Sequence, residues 1–275
     1  NQTALLTSGT HAIEITDDNG CSSLNSFNVY QLDSINMSII TTNTSCNGLN
    51  NGEIQINVVS GGLTPFQYSI NNGTSFQSSN IFSSLSSSTY NVVIMDNNNC
   101  MASSQENISQ PDELRAQAVY VAHVTCNGFD NGIAHATGTG GTVPYSFVWD
   151  SINGQIGDSA FNLTPGVHTV FLTDAKGCTT TDTVVITQPD VLVVEIIDSL
   201  TVLPYCIGVA TGSLTATTWG GTAPYNYSWS LIGGSGAPIN QFDSIAINLL
   251  AGIYSVIVMD ERNCIASDTM DIDTV

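Results

Sequence analysis

Basic residues are almost missing from this chain. Three of them (Arg115, Lys176 and Arg262) face 23 Asp and Glu, for a formal net charge of −20. A surface so poor in cations cannot neutralise phosphates, which argues against nucleic-acid binding, and anionic lipid headgroups would repel it. Charge of either sign is scarce, at 9% of residues, whereas hydrophobic residues reach 42%. That balance excludes a disordered chain and leaves solubility to Ser, Thr and Asn, as suits a secreted or surface protein. No run of about 18 apolar residues occurs, so no segment reads as a membrane-spanning helix. No signal peptide opens the chain either; it starts at Asn1 inside a pattern that recurs later, as an internal or processed fragment would.

Catalytic signatures are lacking as well. There is no phosphate loop, no Gly-x-Gly-x-x-Gly between a strand and a helix, no Gly-x-Ser-x-Gly elbow and no His-Glu-x-x-His. His11, His123, His135 and His168 follow strand positions rather than one site, and every landmark is repeated, whereas an enzyme places its site once. The expectation is a non-enzyme with no catalytic residue and no cofactor. Zinc is disfavoured by the absence of Cys-x-x-Cys and of Cys–His clusters at ligand spacing. Calcium is the one ion reading left, because the turns "TDDNGC", "MDNNNC", "TDAKGC" and "MDERNC" offer hard oxygen ligands. The plainer reading is a hairpin turn in which Asp bonds its own backbone, and Lys176 and Arg262 within two copies favour it.

What is present is a repeat. "CNGLNNGEIQI" from Cys46, "CNGFDNGIAHA" from Cys126 and the degenerate "CIGVATGSLTA" from Cys206 recur about every 80 residues. Gly-Gly pairs follow at 61–62, 140–141 and 220–221, each leading into "PFQYSI", "PYSFVW" or "PYNYSW". Then comes Leu-x-x-Gly-x-aromatic, alternating apolar residues, Asp and Cys. The N-terminal "LTSGTHAIEITDDNGC" is a copy of this second half alone, and a Gln follows each of the first three closing cysteines at Gln31, Gln110 and Gln188. The expected organisation is a half repeat at 1–31 and full repeats at 32–111, 112–189 and 190–275.

Inside a repeat the period is two. In "HTVFLTD" and "YSVIVMD" apolar and polar side chains alternate as a half-buried strand requires, and Thr, Val, Ile and Tyr suit a pleated surface. Asn-Gly at 19–20, 51–52, 131–132 and 153–154 and Lys-Gly at 176–177 are expected to supply hairpin turns. The fold class is all-β: tandem immunoglobulin-like sandwiches of about seven short strands each. Tyr90 and Tyr254 stand where such domains carry a tyrosine corner, with His11 and His168 in that slot elsewhere. Trp149 and Trp229 are the expected core tryptophans, with Ile70 as a smaller plug in the first full repeat. Trp219, with the inserted "LIGGSGAPINQF" of the fourth repeat, is the candidate for a ligand-facing aromatic.

The seven cysteines form two classes. Cys46, Cys126 and Cys206 open repeats; Cys21, Cys100, Cys178 and Cys264 close them. One of each per full repeat points to disulfides and an oxidising compartment, with the partner of Cys21 lying upstream. Pairing within repeats (Cys46–Cys100, Cys126–Cys178, Cys206–Cys264) closes loops of more than about 50 residues, each constraining the unfolded chain by about 4 kcal/mol. The alternative follows from sandwich topology, which puts the opening turn and the closing hairpin at opposite ends. It would bring an opening cysteine to the closing cysteine of the next repeat, for instance Cys46 to Cys178.

The ordered set Cys-Asn-Gly, Gly-Gly-x-x-Pro-Tyr-x-Tyr-x-Trp, Leu-x-x-Gly-x-Tyr-x-Val-x-Val-x-Asp-x-x-Gly-Cys and Ile-x-Gln-Pro resembles the SprB repeat of Bacteroidetes gliding adhesins, a relative of polycystic-kidney-disease and fibronectin type III sandwiches. Ile70 for Trp, Ser88 for Gly, Cys-Ile-Gly at 206–208 and the missing C-terminal Gln-Pro depart from it. The resemblance implies a large extracellular adhesin or filament, exported by type IX secretion and linked to gliding. Its partners would be other repeats or copies of the same protein, with surface glycans as a further class. Asp-Ser or Asp-Thr before an aliphatic residue occurs at Ser34, Ser151, Ser159, Thr183, Ser199, Ser244, Thr269 and Thr274, where composition leads to about two. These triplets look like the O-glycosylation sequon of Bacteroidetes secretory proteins; ordinary turn-to-strand chemistry is the alternative.

Overall fold

A computed structural model describes residues 6–150, 154–198, 201–204, 208–234 and 239–273. No α-helix occurs among them. The chain divides into two compact units, Asn1–Glu113 and Leu114–Val275.

The first unit opens with the antiparallel hairpin of β1 (Gly9–Thr16) and β2 (Ser22–Val29). Six strands follow: β3 (Asn36–Thr42), β4 (Gly52–Ser60), β5 (Gln67–Ser69), β6 (Ile81–Leu85), β7 (Ser88–Met95) and β8 (Met101–Ile108). They form two three-stranded sheets, ordered β3-β4-β6 and β5-β7-β8.

The second unit repeats the pattern twice. Strands β9 (Arg115–Ala122), β10 (Gly132–Thr139), β11 (Ser146–Trp149), β12 (Ser159–Leu163), β13 (Gly166–Thr173) and β14 (Thr179–Ile186) make sheets β9-β10-β12 and β11-β13-β14. Strands β15 (Val193–Ile196), β16 (Gly212–Trp219), β17 (Asn226–Gly233), β18 (Ile245–Leu249), β19 (Gly252–Met259) and β20 (Ile265–Ile272) make β15-β16-β18 and β17-β19-β20. All these pairings are antiparallel. Two facing sheets per repeat, with sequential strands switching between them, make an immunoglobulin-like sandwich. It carries six described strands per repeat rather than seven.

The pleat explains the burial. In β13, His168, Val170 and Leu172 point inward while Val167 and Phe171 face solvent. Trp149 and Trp229 are 0% and 1% exposed, at the centres of their cores. Each indole N–H finds a carbonyl, that of Gly157 at 3.2 Å and of Asp243 at 2.9 Å. Ile70 is only partly buried, against a core of Ile54, Ile56, Val92 and Ile108.

The corner slot works with either ring. The Tyr254 hydroxyl donates to Leu250 O at 2.9 Å and that of Tyr90 to Ser86 O at 3.0 Å. His168 Nε2 reaches Thr164 O at 2.8 Å, and His11 Nε2 reaches Thr7 O at 2.6 Å. An imidazole nitrogen thus takes the place of the phenol oxygen in the same contact four residues back.

Two of the expected turns are corrected. Gly52 and Gly132 are not hairpin corners: they begin β4 and β10, and neither has a positive φ. Glycine is required there by packing, since a Cβ on Gly132 would lie 2.6 Å from Ile186 Cγ2 and 2.8 Å from Leu163 O. Asn51 and Asn131 instead turn back to accept the amides of Ser45 and Thr125, both at 3.0 Å. At 19–20 and 176–177 the glycines do take positive φ, 82° and 81°.

Candidate functional site: the two poles of a repeat

The repeat landmarks gather at opposite ends of each sandwich. At the exit end of the third repeat, the Gly128 amide donates to Gln188 Oε1 at 2.8 Å and Asn127 Nδ2 donates to Pro189 O at 3.0 Å. The Cys-Asn-Gly turn is thereby latched to the Gln-Pro that leaves the repeat. In the first full repeat Gly48 and Asn47 make the same bonds to Gln110 Oε1 and Pro111 O, at 2.9 and 3.0 Å.

At the entrance end, the Asp of the closing hairpin clamps the Gly-Gly loop. Asp260 Oδ1 accepts the amides of Arg262 and Cys264, at 2.9 and 2.8 Å, while Oδ2 accepts that of Thr222 at 2.8 Å. Asp174 does this for Lys176, Cys178 and Thr142, and Asp96 for Asn98, Cys100 and Leu63. Burial pushes the Asp96 and Asp174 carboxyls up, yet these amide donors prevail and hold both below the usual carboxylate range. The incoming linker passes against the same loop, for Gly221 donates to Asp190 O at 3.0 Å. A Cβ on Gly220, whose φ is 72°, would fall 1.9 Å from Val191 O, so the linker leaves room for glycine alone.

These two ends meet within the second unit. Cys126, from the exit of the third repeat, is disulfide-bonded to Cys264, from the entrance of the fourth, with Cα atoms 5.6 Å apart. Cys264 Sγ also lies 3.4 Å from Thr125 O. Beside the bond is a cleft of about 320 Å³ lined by Phe129, Val191, Leu192 and Ile265. This corrects the pairing within repeats: Cys126 does not join Cys178, Cys264 does not join Cys206, and Cys100 carries a free, exposed thiol. The physical reason is topology, because the opening and closing cysteines of one sandwich occupy opposite poles. Cys46 and Cys178 are each disulfide-bonded, and Cys21 is free and exposed. Cys206 lies outside the described residues.

The other expected site residues scatter. Among the Asp-Ser/Thr triplets, Ser34, Thr183 and Thr269 are exposed. Ser159 Oγ donates to Asp158 Oδ1 at 3.0 Å, and the Ser244 amide donates to Asp243 Oδ1 at 2.8 Å. Ser151, Ser199 and Thr274 fall outside the described residues, as does the middle of the fourth-repeat insertion. Asp182 and Asp268 have structural work: each accepts an edge-strand amide, of Ala118 and Ile196 respectively, at 2.8 Å. Trp219 ends β16 opposite Val193 and is 47% exposed. The Asp-rich turns spend their carboxylate oxygens on backbone amides, and no group of three metal-binding side chains occurs among the described residues.

The family model of the SprB repeat matches residues 38–75, 121–154 and 204–234, the opening-cysteine half of each full repeat. No curated protein matches the chain. Among solved structures it is similar to the N-terminal eight immunoglobulin domains of Down syndrome cell adhesion molecule isoform 1.30.30. That match has 13% identity and a TM-score of 0.33, covering 98% of this chain and 40% of the other. It is also similar to Dpr2 Ig1–Ig2 in complex with DIP-Theta Ig1–Ig3, at 8% identity and a TM-score of 0.29, covering 88% and 100%. Escherichia coli alpha-2-macroglobulin activated by porcine elastase is matched at 9% identity and a TM-score of 0.20, covering 98% and 37%. Three segments of the chain thus match the SprB-repeat model.

Proposed function

We propose that this chain is a non-enzymatic, tension-bearing segment of a secreted or cell-surface bacterial adhesin or filament. The Cys126–Cys264 bond carries this reading. It spans a sequence separation of 138 residues. Tension entering at Cys126 passes through the sulfurs to Cys264, leaving residues 127–263 in a loop outside the covalent load path. Strands β10–β14 of the third repeat and β15–β19 of the fourth then lie outside that path, while β9 and β20 stay in it. The disulfide, which suits an oxidising compartment, and the cell-surface or secreted setting of the SprB-repeat family support the same reading. Partners would be other repeats of the protein, and the exposed hydroxyls of Ser34, Thr183 and Thr269 are where glycans would attach. Calcium is not required, since the turn carboxylates already have donors.

Pulling single molecules by their termini tests the proposal. Reduction should add about 450–500 Å of extensible contour, from 138 residues at 3.3–3.6 Å each. Equal contour lengths with and without reductant would overturn it.

A second reading rests on Trp219, whose counterparts are Ser60 and Thr139. A half-exposed indole at a sheet margin can stack on a sugar ring or anchor a protein partner. Trp219→Ala should change stability by less than about 0.5 kcal/mol while abolishing retention on a glycan array; unchanged retention removes this reading.

A further inference from the structure

A second cleft, of about 210 Å³, opens where the exit end of the third repeat meets the entrance loops of the fourth. His123, Thr187 and Gln188 line it from the third repeat, Thr222 and Arg262 from the fourth, and it shares no lining residue with the cleft beside the disulfide. Basic residues number three in this chain, and one of them lies here with a histidine. The Arg262 guanidinium has no ion pair or hydrogen bond among the described residues, although Glu261 adjoins it in sequence and Asp190 adjoins Pro189. The turn does not need this side chain. Asp260 holds it through the Arg262 backbone amide, and Asn98 fills the same position in the first unit.

His123 likewise offers more than its contact requires. Its Nδ1 accepts the Thr187 amide at 3.1 Å, and in the first unit Asn43 Oδ1 accepts the equivalent amide of Ser109 at 2.9 Å. An asparagine therefore suffices for that bond. The imidazole adds an Nε2–H donor, as the accepting Nδ1 requires, and among the described residues this donor meets no acceptor. It adds a ring face as well. Tyr120 stacks on it with centroids 4.1 Å and planes 19° apart, and Tyr120 remains 57% exposed.

We propose that this cleft binds a uronic-acid sugar, with Arg262 and the His123 Nε2–H holding its carboxylate and the Tyr120–His123 stack flanking its ring. The parallel N–H groups of a guanidinium match the two oxygens of a carboxylate. The aromatic pair supplies an apolar wall for the C–H face of a pyranose, which the carboxylate of an acidic peptide would leave unused. Size narrows the ligand further. Sites for drug-sized molecules run to about 300–1,000 Å³, so this smaller one takes a single sugar unit. A lone guanidinium in a chain of net charge −20 suits a glycan with one acidic unit rather than a polyanion. The site is independent of load bearing and of Trp219.

The test titrates the isotope-labelled full chain with the disaccharide of glucuronate on glucose, and with cellobiose as its neutral counterpart, and follows amide resonances by NMR. The acidic sugar should shift His123, Thr187, Thr222 and Arg262, and cellobiose should leave them in place. Arg262→Gln and His123→Asn should each weaken binding about tenfold or more. Both variants keep the backbone contacts, His123→Asn by the bond Asn43 already makes, so an unchanged melting temperature confirms that the fold survives. Equal shifts with cellobiose, no shift at these amides, or undiminished binding by both variants would overturn the proposal. So would equal affinity for a glutamate-containing peptide, which would make the ligand an acidic protein segment.

Discussion

At the scale of single residues, each landmark of the repeat has one physical duty. Trp149 fills the sandwich centre and satisfies its N–H on Gly157 O, so Trp149→Ala should lower the stability of the third repeat by about 3–5 kcal/mol. Thermal or denaturant unfolding checks this, with a loss under 1 kcal/mol contradicting the core role. The tryptophan was legible from its place in an alternating strand. The corner histidines were legible as slot occupants, although only the structure shows His168 Nε2 meeting Thr164 O as the Tyr254 hydroxyl meets Leu250 O. Asn-Gly at 51–52 and 131–132 misled because the dipeptide signals a turn, whereas here Gly is selected by contact with Leu85 O and Leu163 O. A sequence carries no signal that separates a glycine needed for φ from one needed for space.

At the scale of elements, the closing hairpin depends on an ionised carboxylate. Asp96 and Asp174 are held below the usual carboxylate range, so their folded pKa values lie under the unfolded value of 3.8. Such groups contribute fully above that value, and the contribution fades as pH falls through the depressed folded pKa. Asp174→Asn turns an NH2 toward the Thr142 amide, or else surrenders the hairpin amides. The melting-temperature gap between native and variant chains should be constant from neutral pH to about pH 4–5 and narrow below it. A gap that widens in acid would contradict the clamp. The sequence exposed the Asp turns but left calcium and hairpin chemistry both open. What distinguishes them is the loop opposite, whose amides at Leu63, Thr142 and Thr222 come from more than 30 residues away.

At the scale of the whole molecule, the all-β class and the three SprB-like segments were plain in the sequence because period and alternation are local signals. The cysteine partners were not, since spacing alone permits pairing within or between repeats. Sandwich topology decides, by placing Cys-Asn-Gly beside the departing Gln-Pro and the closing Cys beside the arriving linker. A disulfide at such a joint ties one repeat to the next. Non-reducing peptide mapping of the oxidised chain tests this account most directly. A cross-linked peptide pair containing Cys126 and Cys264, with Cys100 recovered as a thiol, is the expected result; Cys126 joined to Cys178 would contradict it.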